Sequence, residues 1–168
     1  MTLQRLSDLY RPFRLLGGIL LLTTLLSSCG NNGCEETRES VLLVQLKPTR
    51  GLSLYSLSAW GITAEGDSIP MLSNVSSPTE AEFTLQPDTT FTQIQLHCIV
   101  NDTGEYETFD NTLNIRYRHY PYFLDMECGC AIFYDVDSVW VSGALFQQVK
   151  LKNAHITNEE NVNIILEY

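Results

Sequence analysis

Thr92-Gln93-Ile94-Gln95-Leu96-His97-Cys98-Ile99-Val100-Asn101-Asp102-Thr103-Gly104 decides how this chain folds. Ile94, Leu96, Cys98 and Val100 take every second place, and Gln93, Gln95 and His97 stand between them. Side chains on an extended strand alternate between two faces, so this pattern buries one face and wets the other. Asn101-Asp102-Thr103-Gly104 then offers residues that tolerate left-handed backbone. Beyond the turn, Leu113, Ile115 and Tyr117 alternate with Asn114, Arg116 and Arg118. The whole reads as a β-hairpin.

The same period of two extends outward. Ala81, Phe83 and Leu85 alternate with Glu80 and Glu82, and Val149 and Leu151 with Lys150 and Lys152. Val162, Ile164, Leu166 and Tyr168 alternate with Asn161, Asn163 and Glu167. The runs 40–46, 52–62 and 131–141 are more continuously apolar and read as central strands. Lys47–Gly51, Ser73–Pro78 and Gln86–Asp88 read as loops. No stretch pairs a helical period with caps. About eight short strands predict an all-β fold, an antiparallel β-sandwich of Ig-like or related Greek-key type, with a small barrel as second choice.

Before the strands comes an address. Arg5, Arg11 and Arg14 precede an apolar run from Leu15 to Leu26. Twelve helical residues span about 18 Å, short of the roughly 30 Å hydrocarbon layer. A signal segment fits better than a membrane span. Leu26-Ser27-Ser28-Cys29 resembles the lipobox of bacterial lipoproteins. That resemblance implies cleavage before Cys29 and fatty acylation of Cys29, an anchor worth about 0.8 kcal/mol per buried CH₂. The organisation expected is signal peptide 1–28, lipidated Cys and tether 29–39, and β-sandwich 40–168. Gly30 follows Cys29 where inner-membrane retention would call for Asp, which implies the outer membrane, on its periplasmic face or the cell surface.

The formal net charge is −10, and removing residues 1–28, with three Arg and one Asp, leaves about −12. Nucleic acid is excluded as a partner, because phosphate binding needs a basic face. Outside the cytosol, Cys34, Cys98, Cys128 and Cys130 are disulfide candidates. A bridge from Cys34 to Cys128 or Cys130 would close a loop of about 95 residues, worth about 4–5 kcal/mol in the chain-entropy view. Cys98, on an inward face, reads equally as a buried thiol. A dithiol redox site at Cys128 and Cys130 is the enzymatic alternative, without the βαβ context such sites have. These four cysteines and His97, His119 and His155 lack the paired spacing of zinc sites, so no metal and no cofactor are expected. Asp135 and Asp137 fit no EF-hand. No Gly-x-Ser-x-Gly nucleophile motif occurs, and no catalytic residue is assigned.

Tyr117, Tyr120, Tyr122, Phe123, Phe133, Tyr134 and Trp140 form an aromatic-rich stretch around Pro121. It reads first as core and cross-strand pairs, and alternatively as a stacking platform for glycan or peptide. Asp67-Ser68-Ile69, Asp88-Thr89-Thr90 and Asp137-Ser138-Val139 resemble the O-glycosylation sequon of bacteroidete envelope proteins, which marks Ser68, Thr89 and Ser138 as acceptors. Leu26–Cys29, Cys34-Glu35-Glu36, and Tyr120-Pro121-Tyr122-Phe123 leading to Cys128-Gly129-Cys130 together resemble a family of small bacteroidete lipoproteins. The family carries no assigned activity, so the resemblance implies location and fold. The expected function is non-enzymatic: a lipid-anchored envelope protein that contacts another envelope protein or stabilises an assembly. The alternatives are a surface glycan- or peptide-binding module and a small adhesion or fimbrial subunit.

Overall fold

The computed structural model describes residues 38–49 and 51–168. Cys29, Cys34 and the signal and tether readings lie outside the described residues. The chain divides into two units, 1–33 and 34–168, and the described residues belong to the second.

Ten strands follow one another. They are β1 (Val41–Lys47), β2 (Ser53–Ile62), β3 (Ser68–Ser76), β4 (Glu80–Thr84), β5 (Phe91–Asp102), β6 (Glu105–Asp125), β7 (Gly129–Gly143), β8 (Gln148–Leu151), β9 (His155–Ile156) and β10 (Val162–Glu167). They form a four-stranded sheet in the order β4-β1-β10-β8 and a six-stranded sheet in the order β3-β2-β5-β6-β7-β9. The architecture is a β-sandwich, not a closed barrel. The expected antiparallel arrangement holds except where β1 and β10 run parallel. These strands lie at opposite ends of the domain and enter their sheet separately, so no tight turn forces them antiparallel.

The inward faces are those the alternation marks. Ile94, Leu96, Cys98, Val100, Leu113, Ile115 and Tyr117 are all buried, and Leu42, Val44, Phe83, Ile164 and Leu166 belong to the same core. The β5–β6 hairpin forms at the expected turn. Asp102 pairs with Glu105, and Thr103 and Gly104 both have positive φ, 51° and 99°. Two such residues match the right-handed twist of the flanking strands. The Gly104 amide donates to Asn101 Oδ1 at 2.8 Å.

Two strands escape the sequence pattern. β3 covers a segment that reads partly as a loop. It is the outer strand of its sheet, mostly exposed along its length, and carries Pro70. An edge strand with both faces wet has no alternation to read. β9 has two residues. β6, at 21 residues, is also longer than expected and reaches from Glu105 to Asp125.

Tyrosine hydroxyls tie the core to loops. The Tyr117 hydroxyl donates to the Gln86 carbonyl at 2.9 Å and lies 2.8 Å from Thr92 Oγ1 and 3.1 Å from Thr89 Oγ1. Tyr134 donates to the Leu85 carbonyl at 3.0 Å, and burial pushes its ionisation upward, which keeps that proton in place. The Tyr117 ring is fully buried, so removing its hydroxyl leaves a carbonyl and two hydroxyls short of a partner. Tyr117→Phe is expected to lower unfolding free energy by about 1–3 kcal/mol. Urea denaturation with an unchanged slope would show it, and an unchanged midpoint would refute it.

Candidate functional site

The outer face of the six-stranded sheet collects what the core does not use. On β5 the outward residues are Phe91, Gln93, Gln95 and His97, and on β6 the even positions from Tyr106 to Tyr122 point the same way. On β7, Ser138 and Trp140 stand opposite Arg116 and Asn114. A bulge between Arg116 and Tyr117 absorbs Asp137, so Asp135 and Phe133 keep to the same outer face. On β2, Trp60 pairs with Gln95.

Among the described residues, the exposed aromatics Tyr55, Phe91, Tyr106, Tyr120, Tyr122 and Trp140 all stand on this face. Phe123, opposite Cys130, is on the other. They form three groups along β6. Tyr55 and Tyr106 meet edge to face at 5.0 Å. Phe91 and Trp140 stack at 5.8 Å with planes 19° apart. Tyr122 stacks on Phe133 at 4.6 Å and 14°, and Tyr120 meets the same ring edge-on at 6.3 Å. Phe133 is buried beneath them, while Tyr122 stays 49% exposed.

Polar groups lie between the rings. Gln93 Nε2 donates to Asn114 Oδ1 at 2.9 Å. Arg118 Nε donates to Asp137 Oδ1 at 3.1 Å, and its Nη2 lies 4.0 Å from Asp135. Asp135 also holds His155 Nδ1 at 2.6 Å, which leaves Nε2 as the free nitrogen of the ring. Arg118 is thus neutralised, and the three side chains together keep one net negative charge. Asn163 sets His155 in place, because its Nδ2 donates to the His155 carbonyl at 3.0 Å while its Oδ1 accepts from the Leu43 amide at 3.1 Å. Tyr120, Tyr122 and Phe133 face His155, Asn158 and Glu159 across an open cleft of about 540 Å³.

The profile of the Family of unknown function (DUF6452) matches residues 56–168. The chain belongs to this family. The DUF6452 match runs from within β2 to the last residue, so it includes the outer face from Trp60 to Tyr122 and leaves β1 outside. No curated protein and no solved structure matches the chain.

The aromatic-rich stretch of this DUF6452 domain therefore divides. Tyr117, Phe133 and Tyr134 are buried, while Tyr120, Tyr122, Phe123 and Trp140 are exposed. Sequence reasoning passed over Phe91, Tyr55 and Tyr106. Phe91 shares its parity with Gln93, Gln95 and His97, and that signal places it outside the core. His97 faces outward as expected and pairs with Asp110 at 2.7 Å. His119 is exposed. Of the three acceptor hydroxyls, Ser68 and Ser138 are exposed. Thr89 Oγ1 instead bonds inward, to the Phe91 carbonyl at 2.9 Å and to Tyr117.

The cysteines are in different states. Cys98 and Cys130 are free thiols, the first buried and the second exposed, so neither joins a disulfide. Cys128 is disulfide-bonded, and its partner is neither of them. Burial, reinforced by the Asp110 carboxylate, pushes the Cys98 thiol up to about 12. At pH 8 it is protonated and inaccessible, hence unreactive. Brief iodoacetamide treatment of the native protein at pH 8 is expected to label Cys130 and not Cys98, which is labelled only after denaturation. Peptide mass mapping reads this directly, and native labelling of Cys98 would contradict it.

Proposed function

We propose that this chain is a lipid-anchored β-sandwich of the bacterial cell envelope that acts by binding and not by catalysis. The observation that carries the binding reading is the run of exposed aromatic rings along one sheet face. Six large rings, carried by β2, β5, β6 and β7 and left in water on one side of the six-stranded sheet, are a cost that folding alone does not require. Anchoring rests on the Leu26–Cys29 resemblance to a lipobox. The membrane is then reached through acyl chains on Cys29, and the outer membrane follows from Gly30. With Cys29 carrying lipid, Cys34 is the cysteine left to bridge Cys128, which would staple the start of the domain to the β6–β7 turn. Ser68 and Ser138 remain the accessible candidates for O-glycosylation.

The partner is another envelope protein or a glycan. A small adhesion or fimbrial subunit would use the same face in assembly. Metabolic labelling with an alkyne fatty acid tests the anchor. Wild-type protein is expected in the outer-membrane fraction with label on Cys29 and a Cys34–Cys128 bridge in non-reducing peptide maps. Cys29→Ala should lose the label and leave that fraction. Unlabelled full-length chain in the cytosol would overturn the reading.

A further inference from the structure

We propose that the outer face of the six-stranded sheet binds a neutral polysaccharide chain laid along β6. Phe91–Trp140 and Tyr120–Tyr122 would serve as two separate ring platforms. The proposal deepens the binding reading above and rests on it.

Ring geometry is the first support. Trp140 is backed by Phe91, and Tyr122 by Phe133, at stacking angles of 19° and 14°. Trp140 remains 41% exposed and Tyr122 49%. A ring supported on one side is held at a fixed tilt and presents its remaining surface to a ligand. The apolar C–H face of a pyranose packs on such a surface, and the sugar's rim of hydroxyls needs partners that both donate and accept. Those partners are present. Gln93, Ser138 and Arg116 lie near the first platform, and His155 and Asn158 near the second.

Charge is the second support. Arg118 is neutralised by Asp135 and Asp137, and the chain as a whole stands at −10. An anionic polymer would meet net repulsion. Sugar hydroxyls carry no charge and meet none.

The backbone is the third support, and it weighs against a peptide. An extended peptide commonly binds by adding a strand to a free sheet edge. β5 lies between β2 and β6, and β6 lies between β5 and β7. Their amides and carbonyls are already paired, so this face offers side chains only. An amphipathic helix would need a continuous apolar groove, and here amides, hydroxyls and ion pairs interrupt the rings.

Spacing adds a length requirement. Asn114, the partner of Trp140, and Tyr122 are eight residues apart on one strand, about 26 Å at 3.3 Å per residue. A short sugar reaches one platform, and a longer chain reaches both.

The test uses the full lipidated chain in detergent micelles. It is titrated by tryptophan fluorescence and calorimetry with neutral mannan, β-glucan and xylan oligomers of increasing length. At least one series is expected to bind saturably, with affinity rising until the chain spans both platforms. Trp140→Ala and Tyr122→Ala should each weaken the longest oligomer about ten-fold, the scale of one lost ring contact. Tyr122→Phe should keep most of the affinity, and Phe123→Ala, on the opposite face, should change nothing. Thermal melts of the four variants check that each folds. Absence of binding by every neutral series overturns the proposal, as does wild-type affinity in both alanine variants. Preference for polygalacturonate or for an extended peptide also overturns it, while leaving the binding reading intact. Loss of the Cys29 anchor bears on that reading alone.

Discussion

Register between β5 and β6 governs what each face of the large sheet can do. Side chains alternate with period two, so a slip of one residue would turn Ile94, Leu96 and Cys98 outward and bring Gln93, Gln95 and His97 into the core. The Thr103–Gly104 turn prevents the slip, because its two positive φ values fit one pairing, Asp102 with Glu105. Once that pairing is set, Leu113, Ile115 and Tyr117 fall on the buried side. The rings of Phe91, Trp140, Tyr120 and Tyr122 are left outside by the same parity.

The β6–β7 hairpin extends this face. β6 and β7 continue to Asp125 and Gly129, where Asp125 Oδ1 accepts the Glu127 amide at 2.8 Å and Gly129 takes φ 74°. Along this stretch both sides of β6 are wet, and residues 118–123 are all exposed. The inner layer no longer needs apolar side chains there, so Tyr120, Tyr122 and Phe123 are not accounted for by core packing. The bulge at Asp137 keeps Asp135 and Phe133 on the face that carries Trp140. Without it, Phe133 and Asp135 would turn to the opposite face, and Tyr120 and Tyr122 would lose the ring and the carboxylate beside them.

Parts of this arrangement are legible from residue order because their cause is local. Alternation in Thr92–Val100, the turn at Asn101–Gly104 and the apolar runs of β1, β2 and β7 each depend on neighbours in sequence. β3 is not legible, since an edge strand exposed on both sides has no pattern to display. The parallel β1–β10 pair is not legible either, because it joins strands about 120 residues apart. The aromatic stretch is half legible. Its composition marks it, but whether a ring packs inward or stands in water depends on which neighbouring strand covers it. Cys128 and Cys130 stand only two positions apart, yet one is bonded and the other free.

Residue order alone determined that this is a strand protein, where the β5–β6 hairpin turns and which face of β5 and β6 is buried. Those follow from steric alternation and turn chemistry, which act within a few residues. The tertiary structure alone decided that β6 outruns the core, that Arg118 is neutralised by Asp135 and Asp137, and that Phe91 meets Trp140. These are contacts between segments brought together by sheet order and a single bulge, and no local rule of sequence encodes them.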